Sequence, residues 1–142
     1  MDVTVSHREL AVWKAAIALA SKVYGATADL PRDEHPELAL QLRRTAVAVP
    51  TSIAEGSARN NRKEFIGALR AARGSLAELE THLMIASRQQ LVPSCERLLQ
   101  EVADVGRSLS GLLRALVERR VPEGHFHPVT APTTGVHQPQ VP

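Results

Sequence analysis

The sequence predicts an all-α protein that folds as an antiparallel, up-down-up-down four-helix bundle. Apolar residues recur at alternating steps of three and four, which keeps one apolar stripe of each helix facing its partners. Aromatic residues make up only 3% of the 142 residues, which favours aliphatic helix packing over a β-sheet. The connections between the periodic segments are short, so consecutive helices must run antiparallel.

The first helix is predicted to begin at Ser6 and to end near Ala28. Ser6 and Glu9 form a Ser-x-x-Glu capping box, in which each side chain satisfies a free amide of the first turn. Leu30 precedes Pro31. Because proline disfavours helical geometry in the residue before it, the helix should stop ahead of this pair. The predicted core stripe of this helix is Leu10, Trp13, Ile17, Ala20 and Tyr24.

The second helix is predicted to start within residues 34–36 and to continue past Pro50 as one kinked helix. A proline inside a helix removes a backbone hydrogen bond and bends the chain. The apolar spacing nevertheless continues from Val49 to Ile53 without a break in phase. Gly56 suits the left-handed position that ends a helix. The predicted stripe is Leu38, Leu42, Ala46, Val49 and Ile53.

Two further helices follow. Asn61 is predicted to cap the third helix, with Glu64 three residues later, and this helix should reach about Gln90. Residues 93–94 are predicted to cap the fourth helix, which should end near Arg119. The third stripe is Phe65, Leu69, Ala72, Leu76, Leu79, Leu83 and Ala86. The fourth stripe is Cys95, Leu98, Val102, Val105, Leu109, Leu112 and Leu116.

Composition divides the chain into a bundle, residues 1–120, and a tail, residues 121–142. The tail holds five of the nine prolines and no Lys or Arg, and we expect it to be disordered because it cannot bury enough apolar surface. The net charge is only +2. No apolar run approaches the ~20 residues of a membrane span, and the N-terminus lacks a signal pattern. We therefore expect a cytoplasmic protein without membrane partners.

No residue pattern indicates catalysis, a metal or a cofactor. The single cysteine, Cys95, excludes an internal disulfide and is predicted to be a buried apolar side chain. Glu78 and His82 share a helix face, and a surface hydrogen bond is favoured there over a metal site. We expect the protein not to be an enzyme. The remaining candidate ligands fall in the tail and are interpreted as solvated: His125, His127 and His137.

Positive charge is concentrated in residues 41–73, where seven basic residues outnumber two acidic ones. Arginine suits bidentate contact with phosphate. We interpret this helix 2–helix 3 corner as the candidate nucleic-acid-binding site, and the alternative is a merely solvated surface. The residues are Arg43, Arg44, Arg59, Arg62, Lys63, Arg70 and Arg73.

A strip of small residues on the third helix is the candidate oligomer interface. Glycine inside a helix costs about 1 kcal/mol relative to alanine, which indicates close approach by another backbone. The strip is Gly67, Ala68, Ala71, Gly74 and Ser75. Apolar residues outside the main stripes are predicted to extend the interface: Leu19, Val23, Leu40, Leu99, Leu113 and Val117.

Five segments also carry a family resemblance. In order they are Arg8–Trp13, Gln41–Arg44, Val49–Gly56, Glu64–Ile66 and Ala72–Glu80. Together they resemble the bacterial four-helix-bundle proteins first noticed as reading frames in intervening sequences of large-subunit ribosomal RNA genes. The resemblance covers about residues 7–117.

The resemblance implies a bundle that assembles into a homo-oligomeric ring, with a pentamer the leading expectation and no catalytic activity. A related branch, the accessory proteins of diversity-generating retroelements, binds nucleic acid and a reverse transcriptase. Ala48 and Ser52 replace a Ser and an Asn of the family pattern, and the chain is less basic than such an accessory protein.

The expected function is therefore that of a non-enzymatic, homo-oligomeric accessory protein that binds RNA or another nucleic acid. A nucleic-acid enzyme is a further expected partner. The alternative is an oligomeric scaffold that binds protein partners only, in which the basic residues are solvated or pair with acidic residues of a neighbouring subunit.

Overall fold

The structure, a computed structural model, describes residues 6–28, 30 and 35–118. Its helices are α1 (Ala11–Ala28), α2 (Pro36–Ala58), α3 (Arg62–Arg88) and α4 (Cys95–Val117). Each helix packs on the next, and α1 also packs on α4. The predicted all-α four-helix bundle is confirmed. None of these helices is long and apolar enough to cross a membrane. The predicted tail lies outside the described residues.

The entry into α1 differs from the prediction. A 3-10 turn occupies His7–Glu9, and α1 begins only at Ala11, after Leu10 has adopted an extended conformation. The Ser6 hydroxyl accepts a hydrogen bond from the amide of Arg8 at 3.2 Å, so Ser6 caps the 3-10 turn and not an α-helix. The bend at Leu10 lets this turn contact α2 as well as α1. The predicted end of the helix at Ala28 is confirmed.

The predicted core stripe of α1 is wrong for two of its five members, Ile17 and Tyr24. Ile17 is 40% exposed and Tyr24 is 47% exposed, whereas Leu19 is only 1% exposed. The helix is apolar on nearly every side, so several stripes fit its sequence. Small and aliphatic side chains take the core face, and the largest rings lie at its edges. The buried residues are Val12, Ala16, Leu19, Ala20, Val23 and Thr27.

Helix α2 runs through Pro50 without a break, which confirms the prediction of one helix. The prediction that Gly56 ends this helix is wrong, because α2 continues to Ala58. Gly56 is instead buried where α2 approaches α3 most closely, and a Cβ added there would overlap the Cβ of Ala68. The left-handed conformation falls on Asn60, with a φ of 53°. The glycine therefore serves helix packing, and the asparagine serves the turn.

Helix α3 follows its prediction closely. The Asn61 side chain accepts a hydrogen bond from the amide of Glu64 at 2.9 Å, as expected of an N-cap. The helix ends at Arg88, two residues earlier than predicted. All seven residues of its predicted stripe are buried. The stripe of α3 is therefore confirmed in full.

Helix α4 departs from its predicted stripe near its end. Leu113 is buried and Leu112 only partly so. The buried stripe advances four residues from Leu109, to Leu113, where a step of three was predicted. Ser94 precedes the helix in a left-handed conformation and makes no side-chain cap. Leu19, Val23 and Leu113 thus belong to the core, which removes them from the predicted self-association surface. Of the others, Leu40 and Val117 are exposed and Leu99 is half-buried.

Candidate nucleic-acid interface

The seven predicted cations do not form one corner. Arg44 and Arg59 lie fifteen residues apart on α2 and its C-cap, a separation of about 22 Å at 1.5 Å per residue. Arg59 is instead close to the start of α3, because the α2–α3 connection is short. The seven residues therefore divide between the N-terminal half of α2, its C-cap and the first half of α3.

Arg43 is half-buried and held against α1 by its side-chain contacts. Its Nε donates a hydrogen bond to the Thr27 hydroxyl at 2.7 Å, and its guanidinium lies 4.9 Å from the centre of the Tyr24 ring. Thr27 is itself buried and donates to the carbonyl of Val23 at 2.8 Å. These contacts connect α2 to the last turn of α1. Arg43 is thus committed to the fold, unlike exposed Arg44.

Substitution of these two neighbouring arginines should separate structural from surface roles. We expect Arg43→Ala to lower the free energy of unfolding by about 1–2 kcal/mol, because it removes a charged hydrogen bond and a cation–π contact. Arg44→Ala should change it by less than about 0.5 kcal/mol. Urea unfolding followed by circular dichroism measures both, and equal effects would contradict a structural role for Arg43.

The turn between α2 and α3 carries a weaker ion pair. Arg59 Nη1 lies 3.4 Å from Glu64 Oε1, and both side chains are more than half exposed. An exposed pair of this kind contributes little to stability because water screens it. Lys63 is exposed and Arg62 is half-buried. The turn therefore combines three cations with one partly compensating acid.

The cations of α3 lie on its side toward α4. Phe65 and Ala68 contact α2 at Gly56, whereas Leu76 contacts α4 at Gly106, and these contacts fix which side of α3 faces each neighbour. At about 100° per residue, the four predicted cations of α3 fall within a sector of about 100° on the α4 side, and Arg88 in the last turn falls in the same sector. The four are Arg62, Lys63, Arg70 and Arg73.

The opposite side of α3 is lined by small and acidic residues. Glu64 and Glu78 lie there, as do all five residues of the predicted oligomer interface. Ala68 contacts α2 at Gly56, so part of the strip serves the bundle itself. Gly67 and Gly74 are exposed, and a Cβ added to either would meet nothing within 4 Å. The rest of the strip is Ala71, which is exposed, and Ser75, which is half-buried.

Two arginines of α4 join the cations of α3. Arg107 and Arg114 are exposed and lie seven residues apart, on the α4 side that turns toward α3. Because Gly106 contacts Leu76 and the helices are antiparallel, these arginines lie beside the middle of α3. Sequence reasoning missed them, although their spacing marks a shared helix face. We call the combined surface the α3–α4 cationic face: Arg62, Lys63, Arg70, Arg73, Arg107 and Arg114.

The histidines and the cysteine considered as metal ligands or as a nucleophile do not form a site within the described residues. His82 Nε2 lies 3.9 Å from Glu78 Oε2, and within residues 6–28, 30 and 35–118 no three His, Cys, Asp or Glu side chains group together as metal ligands would. Cys95 is buried, as predicted, and burial raises the pKa of its thiol. A raised pKa keeps the thiol protonated and so makes it a poor nucleophile. His125, His127 and His137 lie outside the described residues.

Comparison with protein families agrees with this architecture. The family profile of the 23S rRNA-intervening sequence proteins matches residues 8–111, which include most of the bundle. Comparison with curated proteins finds no match. The family match covers the five segments on which the sequence resemblance depends. The chain therefore belongs to the 23S rRNA-intervening sequence protein family.

Proposed function

We propose that this protein is a non-enzymatic accessory module that binds RNA by contacting backbone phosphates. The single observation that supports this most strongly is the gathering of all five Lys and Arg residues of α3, Arg88 included, on one side of the helix, away from Glu64 and Glu78. Clustered arginine and lysine side chains supply the salt-dependent part of nucleic-acid affinity. The family's name refers to intervening sequences of 23S rRNA, which favours RNA as the polyanion.

Neutralising α3 tests this proposal. The variant Lys63→Gln/Arg70→Gln/Arg73→Gln should bind a structured ribosomal RNA fragment at least about 100-fold more weakly at 0.1 M salt, because each lost phosphate contact lowers the salt slope by about 0.9. A control with the same change in charge is Arg8→Gln/Lys14→Gln/Arg97→Gln, on exposed positions elsewhere. Fluorescence anisotropy measures both affinities. Equal losses in the two variants would contradict a localised site.

We further propose that the protein works in the cytoplasm as a homo-oligomeric ring, with a pentamer as the expected size. Exposed glycines on α3 support this, because Gly67 and Gly74 leave room for another backbone. A ring would repeat the cationic face, so that weak contacts with one RNA add by multivalency. A nucleic-acid enzyme is the second partner we propose.

The proposed subunit contact gives a separate expected result. Gly74→Leu should dissociate the assembly while the helices stay folded, because its side chain would fill the space left for the neighbouring subunit. Gly25→Leu is the matched control, since Gly25 is also helical, exposed and without neighbours within 4 Å. Light scattering measures the mass. An unchanged mass for Gly74→Leu would contradict contact through this strip.

A second candidate function is a scaffold that binds only protein partners. The exposed apolar side chains of α1 and α2 favour it: Ile17, Tyr24, Leu40 and Val47. In this case the basic residues would be solvated or would pair with acids of a neighbouring subunit. Charge reversal at Arg59 and Arg62 discriminates between the candidates. Loss of RNA binding with intact assembly favours the RNA module, and loss of assembly favours the scaffold.

A further inference from the structure

We propose that the RNA bound by the α3–α4 cationic face is double-stranded, and that Arg107 and Arg114 of α4 form a second row of phosphate contacts. This inference depends on the proposed RNA binding and deepens it by naming the ligand class and two further binding residues. It follows from three properties of the face: its two-row geometry, its charge, and the position of the aromatic side chains.

The geometry places cations in two rows. Gly106 contacts Leu76, so in the antiparallel pair Arg107 and Arg114 lie on either side of the stretch 70–73 of α3. The axes of packed helices are about 8–10 Å apart, which sets the separation of the rows. Arg107 and Arg114 are themselves about 10 Å apart along α4, at 1.5 Å per residue. The cations therefore spread in two dimensions, over an area and not along one line.

The charge of the second row is exposed to solvent. The Arg107 side chain is 71% exposed and makes an ion pair with Asp104, which is also largely exposed. Such a surface pair is weak, and a guanidinium has five N–H donors, so Arg107 can contact a phosphate as well as Asp104. Arg114 is likewise exposed. The α3 part of the α3–α4 cationic face also carries an acid, Glu80, seven residues beyond Arg73.

The aromatic side chains favour a duplex over a single strand. Proteins bind single strands largely by stacking bases on exposed aromatic rings. Phe65, the aromatic residue of α3, is 1% exposed, and Trp13 and Tyr24 belong to α1, which neighbours α2 and α4 but not α3. A duplex presents its phosphates along two lines and hides its bases. Two rows of arginines without stacking rings fit that ligand.

The experiment measures binding of a 20-base-pair RNA duplex and of one of its separate strands to the full-length protein. We expect the duplex to bind more tightly than the strand. Arg107→Gln/Arg114→Gln should weaken duplex binding by about tenfold or more at 0.1 M salt and lower the log–log salt slope by about 2. Arg97→Gln, an exposed arginine on the α1 side of the same helix, is the control and should leave both unchanged.

Three other results would overturn different parts of the proposal. Unchanged duplex binding by Arg107→Gln/Arg114→Gln, together with weakened binding by the α3 variant, would overturn the second row and leave the proposed function intact. Equal or tighter binding of the single strand would overturn the ligand class. Absence of binding to either RNA by the unmodified protein at low salt would overturn the proposed function and this inference together.

Discussion

Leu19→Ala is expected to lower the free energy of unfolding by about 2–5 kcal/mol, the range for removing a buried leucine side chain from a packed core. Leu19 is 1% exposed and lies among the core residues of α1. Its matched control is Ile17→Ala, two residues away and 40% exposed, which should cost less than about 1 kcal/mol. Urea unfolding of both variants gives the comparison.

The reverse order of these two effects would contradict the structure. The stripe predicted from the sequence of α1 includes Ile17 and omits Leu19, so it anticipates the larger loss at Ile17. The two descriptions of α1 differ by a rotation of the helix about its axis. The pair of variants therefore measures which face of α1 the bundle buries.

Gly56→Ala is expected to lower the free energy of unfolding by about 1–3 kcal/mol, a typical cost of overpacking. The new Cβ would overlap the Cβ of Ala68, which is attached directly to the backbone and cannot rotate away. The helices α2 and α3 would have to separate. Gly25→Ala is the control, with open space around its Cβ, and should gain up to about 1 kcal/mol from helix propensity.

A second substitution tests whether the contact with Ala68 causes this loss. Adding Ala68→Gly to Gly56→Ala removes the overlap, so the double variant should be more stable than the sum of the two single effects predicts. A coupling of about 1 kcal/mol or more is expected for residues in direct contact. Strictly additive effects would show that the close approach of α2 and α3 at this point is not the source of the loss.

The success of the sequence prediction depends on how clearly each helix separates apolar from polar residues. Between Leu69 and Leu83, the residues of α3 outside its predicted stripe are all charged, polar or small, so only one stripe fits and it is the buried one. Helix α1 has few polar residues, so its stripe could be placed in several ways. Burial of Leu19 depends on how α1 packs against α2 and α4, which local spacing does not encode.

The candidate site shows a similar division. Arg62, Lys63, Arg70 and Arg73 can be grouped from sequence because one helix carries them. Arg107 and Arg114 cannot, because only the antiparallel pairing of α3 and α4 brings them to the same surface. Charge alone predicts Arg43 to be a nucleic-acid contact. Its hydrogen bond to Thr27 is a tertiary interaction between two helices, which charge counting does not reveal.

The most direct test of RNA binding through the α3–α4 cationic face is the salt dependence of binding. The purified protein should bind a structured ribosomal RNA fragment with an affinity that falls linearly with salt concentration on a log–log plot. The slope should become shallower when Lys63, Arg70 and Arg73 are changed to glutamine. Absence of binding at low salt, or an affinity that does not change with salt, would contradict the proposed function and leave a protein-binding scaffold as the better account.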